Sequence, residues 1–515
     1  MGVFTREKKS SSGSPPIESN RVDYDEGSIS DNADQLQRHL ANRQIQLIAI
    51  GGSIGTALFV SIGTGLYRGG PANLLLAFTI QSCVLAMVNN CIAEMSTAYP
   101  VTGGFIRLAG HWVDDALGFM VGWNFFFYEA LLIPFEISAF TLVCSFWSPR
   151  VSEPGPIAGI VLGCVICYAA INVLAVEAYG EAEFWLSGGK VILIFSLFFF
   201  TFITMVGGNP QGDAYGFRNF MHGDAFQAYI GTGDLGRFQG FLAALTSALF
   251  TVVGPEYISI VAAEAIRPRT YIKAAFKMVY LRFGIFFIGG ALAVGIVCNS
   301  RETRLGEVVL GGNSGSAAAS PYVIAMENLG IGVFPHIVNA WQYLHILRLS
   351  SSSSVAVTWF ASLVTAGGLI DYFVMCITYI FFYRACKAQG LDRSTLPYTG
   401  WFQPYCAYIA ATWLLVVTCI YGYTSYMPWS ESSFFSNYTM QLFIPPLYII
   451  WKLVKKTKVV KPHEADLVWE RPGIDAYEET FFDPPTGFWK EMGQLIGIGR
   501  RKSGGDQRRK SSAAA

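Results

Sequence analysis

Long apolar runs dominate the chain, separated by short polar stretches. A membrane-crossing helix needs about 20 mostly apolar residues. Ten runs reach that length, roughly 45–67, 74–98, 117–147, 155–177, 184–206, 238–265, 279–298, 356–383, 403–427 and 434–454. The third is long enough to tilt or to begin in the interface. An eleventh stretch, 331–347, is weaker, because Pro335, His336, Asn339, Gln342 and His345 crowd into barely one bilayer's length. The opening Met1–Leu40 is polar, rich in Ser, Asp and Arg, and lacks the apolar segment of a secretory signal. It reads as a disordered tail. The chain is polar again beyond Lys455, with basic clusters at 455–461 and 500–510. Trp469, Phe481, Phe482 and Trp489 stand in that last stretch. Two readings are open there: the aromatics dock on the membrane or the protein, or the tail is floppy. The resulting division is a tail over 1–44, a transmembrane domain over 45–455 and a second tail over 456–515.

Composition agrees. Hydrophobic residues make up 52% and charged residues 14%, against about 25% charge in soluble domains. Mean hydropathy is +0.39, so most of the surface needs lipid around it. The formal net charge is zero, which gives nucleic acid nothing to bind. Ten cysteines lie mostly inside apolar runs without metal-ligand spacing. Cys164 and Cys167 form a CxxC inside a predicted span and read as two small core residues. No catalytic residue, metal site or cofactor is expected. The phosphate-binding pattern GxxxxGK[ST] is absent, which argues against an ATP-driven pump.

Charge in the short links sets orientation, since Lys and Arg favour the cytosolic side. Arg6, Lys8, Lys9, Arg21, Arg38 and Arg43 precede the first run. Arg267, Arg269, Lys273 and Lys277 join runs six and seven. Arg384, Lys387 and Arg393 follow the 356–383 run, and Lys452, Lys455, Lys456, Lys458 and Lys461 follow the last. All four groups face the cytosol if 331–347 does not cross. The expectation is ten spans with both termini cytosolic.

Chemistry is expected where the runs break the rules of a lipid solvent. Run one contains Ile50-Gly51-Gly52-Ser53-Ile54-Gly55-Thr56, whose glycines and hydroxyls weaken a helix. Run six contains Phe250-Thr251-Val252-Val253-Gly254-Pro255-Glu256-Tyr257. Pro255 cannot donate a backbone hydrogen bond and clashes with the preceding turn, and Glu256 puts a carboxylate beside that break. Interrupted helices at matching places in two halves of a chain point to a transporter's midplane site. N–H groups at the break in run one suit a substrate carboxylate. Carbonyls at the break in run six suit an ammonium. Together they read an α-amino acid. The other reading of the glycines is close helix packing. The candidate substrate residues are Gly51, Gly52, Ser53, Ile54, Gly55, Thr56, Phe250, Thr251, Gly254 and Glu256, with Phe250 either closing the site or serving as a core aromatic.

Glu94, Glu129, Glu136, Lys190, Glu256 and Asp371 are the ionisable residues within spans, each costing roughly 2.5–3.5 kcal/mol at mid-helix. Lys190 reads as the only basic residue deep in a span. Either it carries a coupling proton, or it pairs statically with a carboxylate, or it snorkels. Glu264, near the end of run six, reads as a helix-end charge.

The stretch from His39 through Leu40-Ala41-Asn42-Arg43-Gln44-Ile45-Gln46-Leu47-Ile48-Ala49-Ile50 to Gly51–Thr56 resembles the opening of the fungal amino-acid permeases, in the amino acid–polyamine–organocation superfamily. Further resemblances run in order along the chain. They are Gly69-Gly70-Pro71, Glu94-Met95, Pro100-Val101-Thr102-Gly103-Gly104-Phe105, Asp114–Phe119, Gly122-Trp123-Asn124, Pro134-Phe135-Glu136, Gly180–Trp185, Ala263-Glu264 with Pro268-Arg269, and Ser320–Ala325. The resemblance covers about 40–455. It implies an all-α polytopic membrane protein with a LeuT-like inverted-repeat fold, importing amino acids by proton symport, with substrate between spans one and six. Lys190 matches a fifth-span lysine used by some relatives for proton coupling, and Glu256 matches a sixth-span carboxylate near the substrate. The implied partners are an amino acid, a proton, the lipid bilayer and ubiquitin-ligase adaptors acting on the tails at Lys8 and Lys9. The implied location is the plasma membrane.

The resemblance has one gap. It stops after Pro335–Ala340 and resumes at Ser350–Phe360. The family carries twelve spans, so span eight is truncated and span nine missing here. The alternative to a working importer is a transport-deficient paralogue or nutrient sensor of the same fold.

Overall fold

The computed structural model describes residues 38, 40–51, 58–59, 61–144, 148–174, 176–221, 225–310, 320–346, 354–426, 428–482 and 484–495. The first run is two helices, α1 (Asn42–Gly51) and the opening of α2 (Ser61–Ala98). α2 also carries the second run. At Gly70 the backbone leaves the helix, with φ 79° and ψ 168°, and Pro71 begins the next stretch. Glycine adopts a positive φ without steric cost, and proline suits a first helical turn. α3 (Gly104–Trp112) is a short connector. α4 (Asp115–Cys144), α5 (Pro154–Leu174) and α6 (Val176–Met205) form the third to fifth runs.

α7 (Arg218–Met221) is one turn in the link to α8 (Gly233–Thr251). α8, α9 (Pro255–Ile260) and a 3-10 turn over Val261–Glu264 make up the sixth run. α10 (Pro268–Arg282), a π-helical turn over Phe283–Ile288 and α11 (Gly289–Val297) form a continuous seventh span. α12 (Thr303–Val309), α13 (Pro321–Asn328) and α14 (Phe334–Ile346) are short. α15 (Ser354–Ala388), α16 (Tyr405–Ile420) and α17 (Glu431–Lys455) take the last three runs, and α18 (Arg471–Glu479) and α19 (Phe488–Leu495) follow them. Each predicted run thus coincides with helix. Among the described residues, 7 helices are long and apolar enough to cross a membrane. The weak 331–347 stretch forms α14, which packs on α4, α6 and α13.

α2 is the central element, packed against α8, α10, α11, α15 and α16. Its closest neighbour is α8, and small residues permit the approach. A Cβ added at Gly69 would lie 2.7 Å from the Gly240 carbonyl, and one at Gly65 would lie 2.9 Å from Ser247. Small contact residues of this kind bring helices together where lipid removes the hydrophobic drive. Amide side chains add cross-helix bonds: Asn73 Nδ2 donates to the carbonyl of Arg237 at 3.2 Å, Asn89 to Phe276 at 3.2 Å and Asn124 to Gly367 at 2.8 Å. Large apolar side chains cover the outside, Phe199 at 65% and Leu453 at 72% exposure. An apolar periphery on this scale marks a surface that meets lipid.

Of the two readings of the C-terminal stretch, the described residues take the docked one. Val460 N–H donates to the Val113 carbonyl at 2.9 Å, and Tyr99 OH to the Leu467 carbonyl at 2.6 Å. Trp469 stacks on His111 at 4.0 Å, and Arg107 pairs with Glu470 at 2.5 Å. Further on, Asp475 pairs with Arg269, Tyr477 OH donates to the Ile266 carbonyl at 3.0 Å, and Arg267 lies 4.6 Å over Phe481. Phe482 points away, 96% exposed. This strap crosses the end of the bundle where α1 begins.

Candidate functional site

The break predicted in run six is present. α8 ends at Thr251, Val252 turns out of the helix, and α9 restarts at Pro255. Gly254 sits at φ 133°, ψ −18°, a region that side-chain-bearing residues avoid. Glu256 clasps the turn, because its Oε2 accepts the Gly254 N–H at 3.0 Å. The carboxylate is 2% exposed, and its Oε1 has no hydrogen-bond partner. Phe250 packs edge-on against Phe135 of α4, centroids 4.7 Å apart. Thr251 gives its hydroxyl hydrogen to the Ser247 carbonyl at 2.8 Å and keeps its acceptor lone pairs.

Gly51 closes α1, whereas Gly52, Ser53, Ile54, Gly55 and Thr56 lie outside the described residues. The residues on either side of them are described. Ser247 Oγ of α8 donates to the Ser61 carbonyl at 2.9 Å, and α1 packs on α6, α9 and α10. The two interrupted runs therefore lie side by side. Leu58 and Phe59, which follow the break, share one apolar hollow with Ile194 and Leu197 of α6. Residues four and seven apart on a helix share a face, so half-buried Lys190 lies on the side of α6 turned toward run one.

Behind the break in run six lies a buried polar cluster. Glu129 of α4 neighbours Tyr257 and Glu256. Asp371 of α15 neighbours Asn124, Glu256 and Glu129. Tyr372 and Arg282 neighbour Glu256. Glu129 Oε1, Asp371 Oδ1, Tyr372 OH and all three guanidinium nitrogens of Arg282 are buried without a hydrogen-bond partner. Buried polar groups in folded proteins are nearly always paired, with protein or ordered water, and here the unpaired ones gather on one side of the break.

Arg282 corrects the expectation that Lys190 is the only basic residue deep in a span. It is 2% exposed. Hydropathy began run seven at 279, which set this arginine near a membrane surface. α10 begins at Pro268, so Arg282 lies about 21 Å along the helix at 1.5 Å per residue. The signal in the sequence was Pro268, a helix start, rather than hydropathy.

The remaining candidates separate from the site. Glu94 is fully buried and held by Arg393 in a two-pronged pair, Nε to Oε1 at 2.7 Å and Nη2 to Oε2 at 2.6 Å. Tyr379 OH and Gly400 N–H also donate to Oε2, at 2.9 and 2.7 Å. Burial alone would pull Arg393 down, and these bonds hold it above the ordinary guanidinium range. Glu94 is therefore a structural anchor. Glu136 lies half-buried two turns beyond Glu129 on α4, and Glu264 is exposed at the end of the sixth run.

A family model described as Amino acid permease matches residues 44–358 and 340–464. The two matches overlap over 340–358, where the sequence resemblance breaks off. The general amino acid permease AGP2 of Saccharomyces cerevisiae is 39% identical over 507 residues, covering 86% of this chain and 84% of that protein. The dicarboxylic amino acid permease of the same yeast is 32% identical, covering 87% and 82%. A proline-specific permease of Emericella nidulans is 32% identical, covering 90% and 94%.

Proposed function

The chain belongs to the amino acid permease family, an integral membrane transporter rather than an enzyme, and we propose that it imports amino acids across the plasma membrane by proton symport. Substrate binds between runs one and six. Alternating access follows from rocking one helical bundle against the other around that fixed site, with both termini in the cytosol. Lys190 is the coupling residue of this reading, facing run one from α6. Gly51–Thr56 offer backbone N–H groups to the substrate carboxylate. The Thr251–Gly254 turn and Glu256 take its ammonium, and Phe250 lines the approach. The observation that carries the reading is the side-by-side pair of interrupted runs, joined by Ser247 and Ser61.

The test is uptake of labelled proline, aspartate and lysine, each alone, into liposomes holding the purified full chain. Accumulation above equilibrium under an inward proton gradient is expected, and its collapse with an uncoupler. Downhill flux indifferent to the gradient would remove the symport reading.

A second reading has its own observation. The alignment with AGP2 is longer than 86% of this chain, so that relative holds positions for which this chain has no residue. With the family match split at 340–358, the chain reads as one that has lost internal spans. Such a chain binds amino acids without cycling, as a sensor or an inactive paralogue. Binding of a labelled amino acid without any flux would favour it.

A further inference from the structure

The carboxyl groups behind the sixth-run break outnumber the positive charge beside them. Glu129 and Asp371 both lie near Glu256, and Asp371 near Glu129, with Tyr128, Tyr257 and Tyr372 around them, and Arg282 lies beside Glu256. An uncompensated buried carboxylate costs several kcal/mol, and like charges at close range disfavour one another's ionisation. Arginine does not give up its proton in a protein, so the carboxyls are the members that titrate. Arg282 offsets one of them. Its charge neighbours are Glu256 and Tyr372, so its charge is directed at Glu256 rather than at Glu129 or Asp371. The other two reach neutrality by holding protons. Asp371 is the deeper of these, 2% exposed, whereas Glu129 is half-buried. Its Oδ1 has no partner, and it belongs to α15, an unbroken helix. The π-helical turn starts directly after Arg282. Such turns recur at functional positions.

We propose that Asp371 carries the transported proton, with Arg282 as the counter-charge placed beside Glu256. The proton arrives from the outer aqueous phase, rests on Asp371 as a carboxylic acid, and leaves to the inner aqueous phase. No bond to substrate forms or breaks, and no redox partner is needed. The inference rests on the symport reading above and adds a coupling group on a different helix from Lys190.

The experiment uses the full chain in liposomes with a trapped pH dye and labelled proline, aspartate and lysine as separate probes. Two quantities are read for the unmodified chain and for Asp371→Asn: substrate exchange at equal pH, and uphill uptake driven by a proton gradient. The variant is expected to keep exchange and to lose both uphill uptake and the dye signal. An Asp371→Asn protein that still accumulates substrate with the unmodified proton ratio overturns the proposal. Loss of exchange in a variant that stays monodisperse also overturns it, because Asp371 would then bind substrate. An unmodified chain that exchanges substrate without moving protons ends the symport reading, and one with no flux ends the transport reading. The proposal falls with either, and the two results differ. Where the variant does not fold, the infrared spectrum of the unmodified chain decides. A protonated-carboxyl band at neutral pH that shifts on adding substrate is expected, and its absence overturns the assignment.

Discussion

Glu491, on the last described helix, accepts the backbone N–H of Arg43 at 2.7 Å, although the two stand 448 positions apart. Asn42 Nδ2 reaches the Thr486 carbonyl beside it at 3.2 Å. The first of these satisfies a backbone donor in the first turn of α1, which the helix itself leaves open. The strap also grips the start of α10 through Arg269, whose backbone N–H meets Glu478 Oε1 at 2.9 Å. It thus fastens the starts of α1 and α10 at that end of the bundle. Removing the carboxylate by Glu491→Ala is expected to cost the docked state about 1 kcal/mol, the low end for a charged hydrogen bond because the group is half exposed. Hydrogen exchange should rise in α1 and α19 together. Faster exchange in α19 with α1 unchanged would mean that the strap does not brace the broken helix.

A larger effect is expected at Glu94. Glu94→Ala leaves Arg393 without its carboxylate and strips Tyr379 OH and Gly400 N–H of their acceptor. Breaking a buried pair in this way costs roughly 3–5 kcal/mol. The melting temperature of the detergent-purified chain should fall sharply. With Glu94 in place, Arg393→Lys should keep only part of the pair's contribution, since lysine cannot present two parallel donors. A Glu94→Ala protein that melts with the unmodified chain would show that the loop from Asp392 to Gly400 is held by other contacts.

What the sequence disclosed follows from how far apart the interacting residues are. Gly254-Pro255 announced the break locally, and the helix does part there. Apolar runs announced the spans, because every backbone group in lipid must be satisfied within its own helix. Gly70-Pro71 lies in a short polar gap between two runs, and the backbone does leave the helix there. Arg282 was lost because a hydropathy window averages one charge into its neighbours. The Glu94–Arg393 pair and the stacking of Trp469 on His111 join residues hundreds of positions apart. No periodicity encodes such pairs, and only the packed bundle brings them together.

Gly104 should tolerate no side chain. Its φ is +47°, and an added Cβ would lie 2.4 Å from the Ser259 carbonyl of α9. The neighbour is backbone, so it cannot swing aside. The hydroxyls of Ser96 and Ser259, 2.8 Å apart, fix the same contact. A non-glycine residue at such a φ costs about 1–3 kcal/mol before any clash. Gly104→Ala is expected to lower the melting temperature and to reduce uptake by displacing α9 and, with it, Glu256. Gly390, whose φ is +71° with open space around it, is the control. Gly390→Ala should carry the strain alone and cost less.

The strap should also loosen in acid, through His111. Burial against Trp469 lowers the pKa of its ring below the ordinary 6.5, more than the Asp466 carbonyl at 3.3 Å raises it. The docked form therefore binds a proton less readily than the released form. Above the ordinary value both are neutral, and docking carries no penalty. As the pH falls from there through the docked value, the released form gains protons first, and docking weakens with each step. Below the docked value the penalty is complete and constant. Hydrogen exchange over 460–480 should thus rise as the pH falls below the ordinary histidine value of 6.5, relative to His111→Gln, which has no such titration. Comparing the two proteins at each pH removes the intrinsic dependence of exchange on acidity. If the unmodified chain and the variant track each other throughout, His111 does not govern docking, and Glu491 works in the opposite direction. There burial raises a carboxyl, the sign reverses, and acid would tighten the strap.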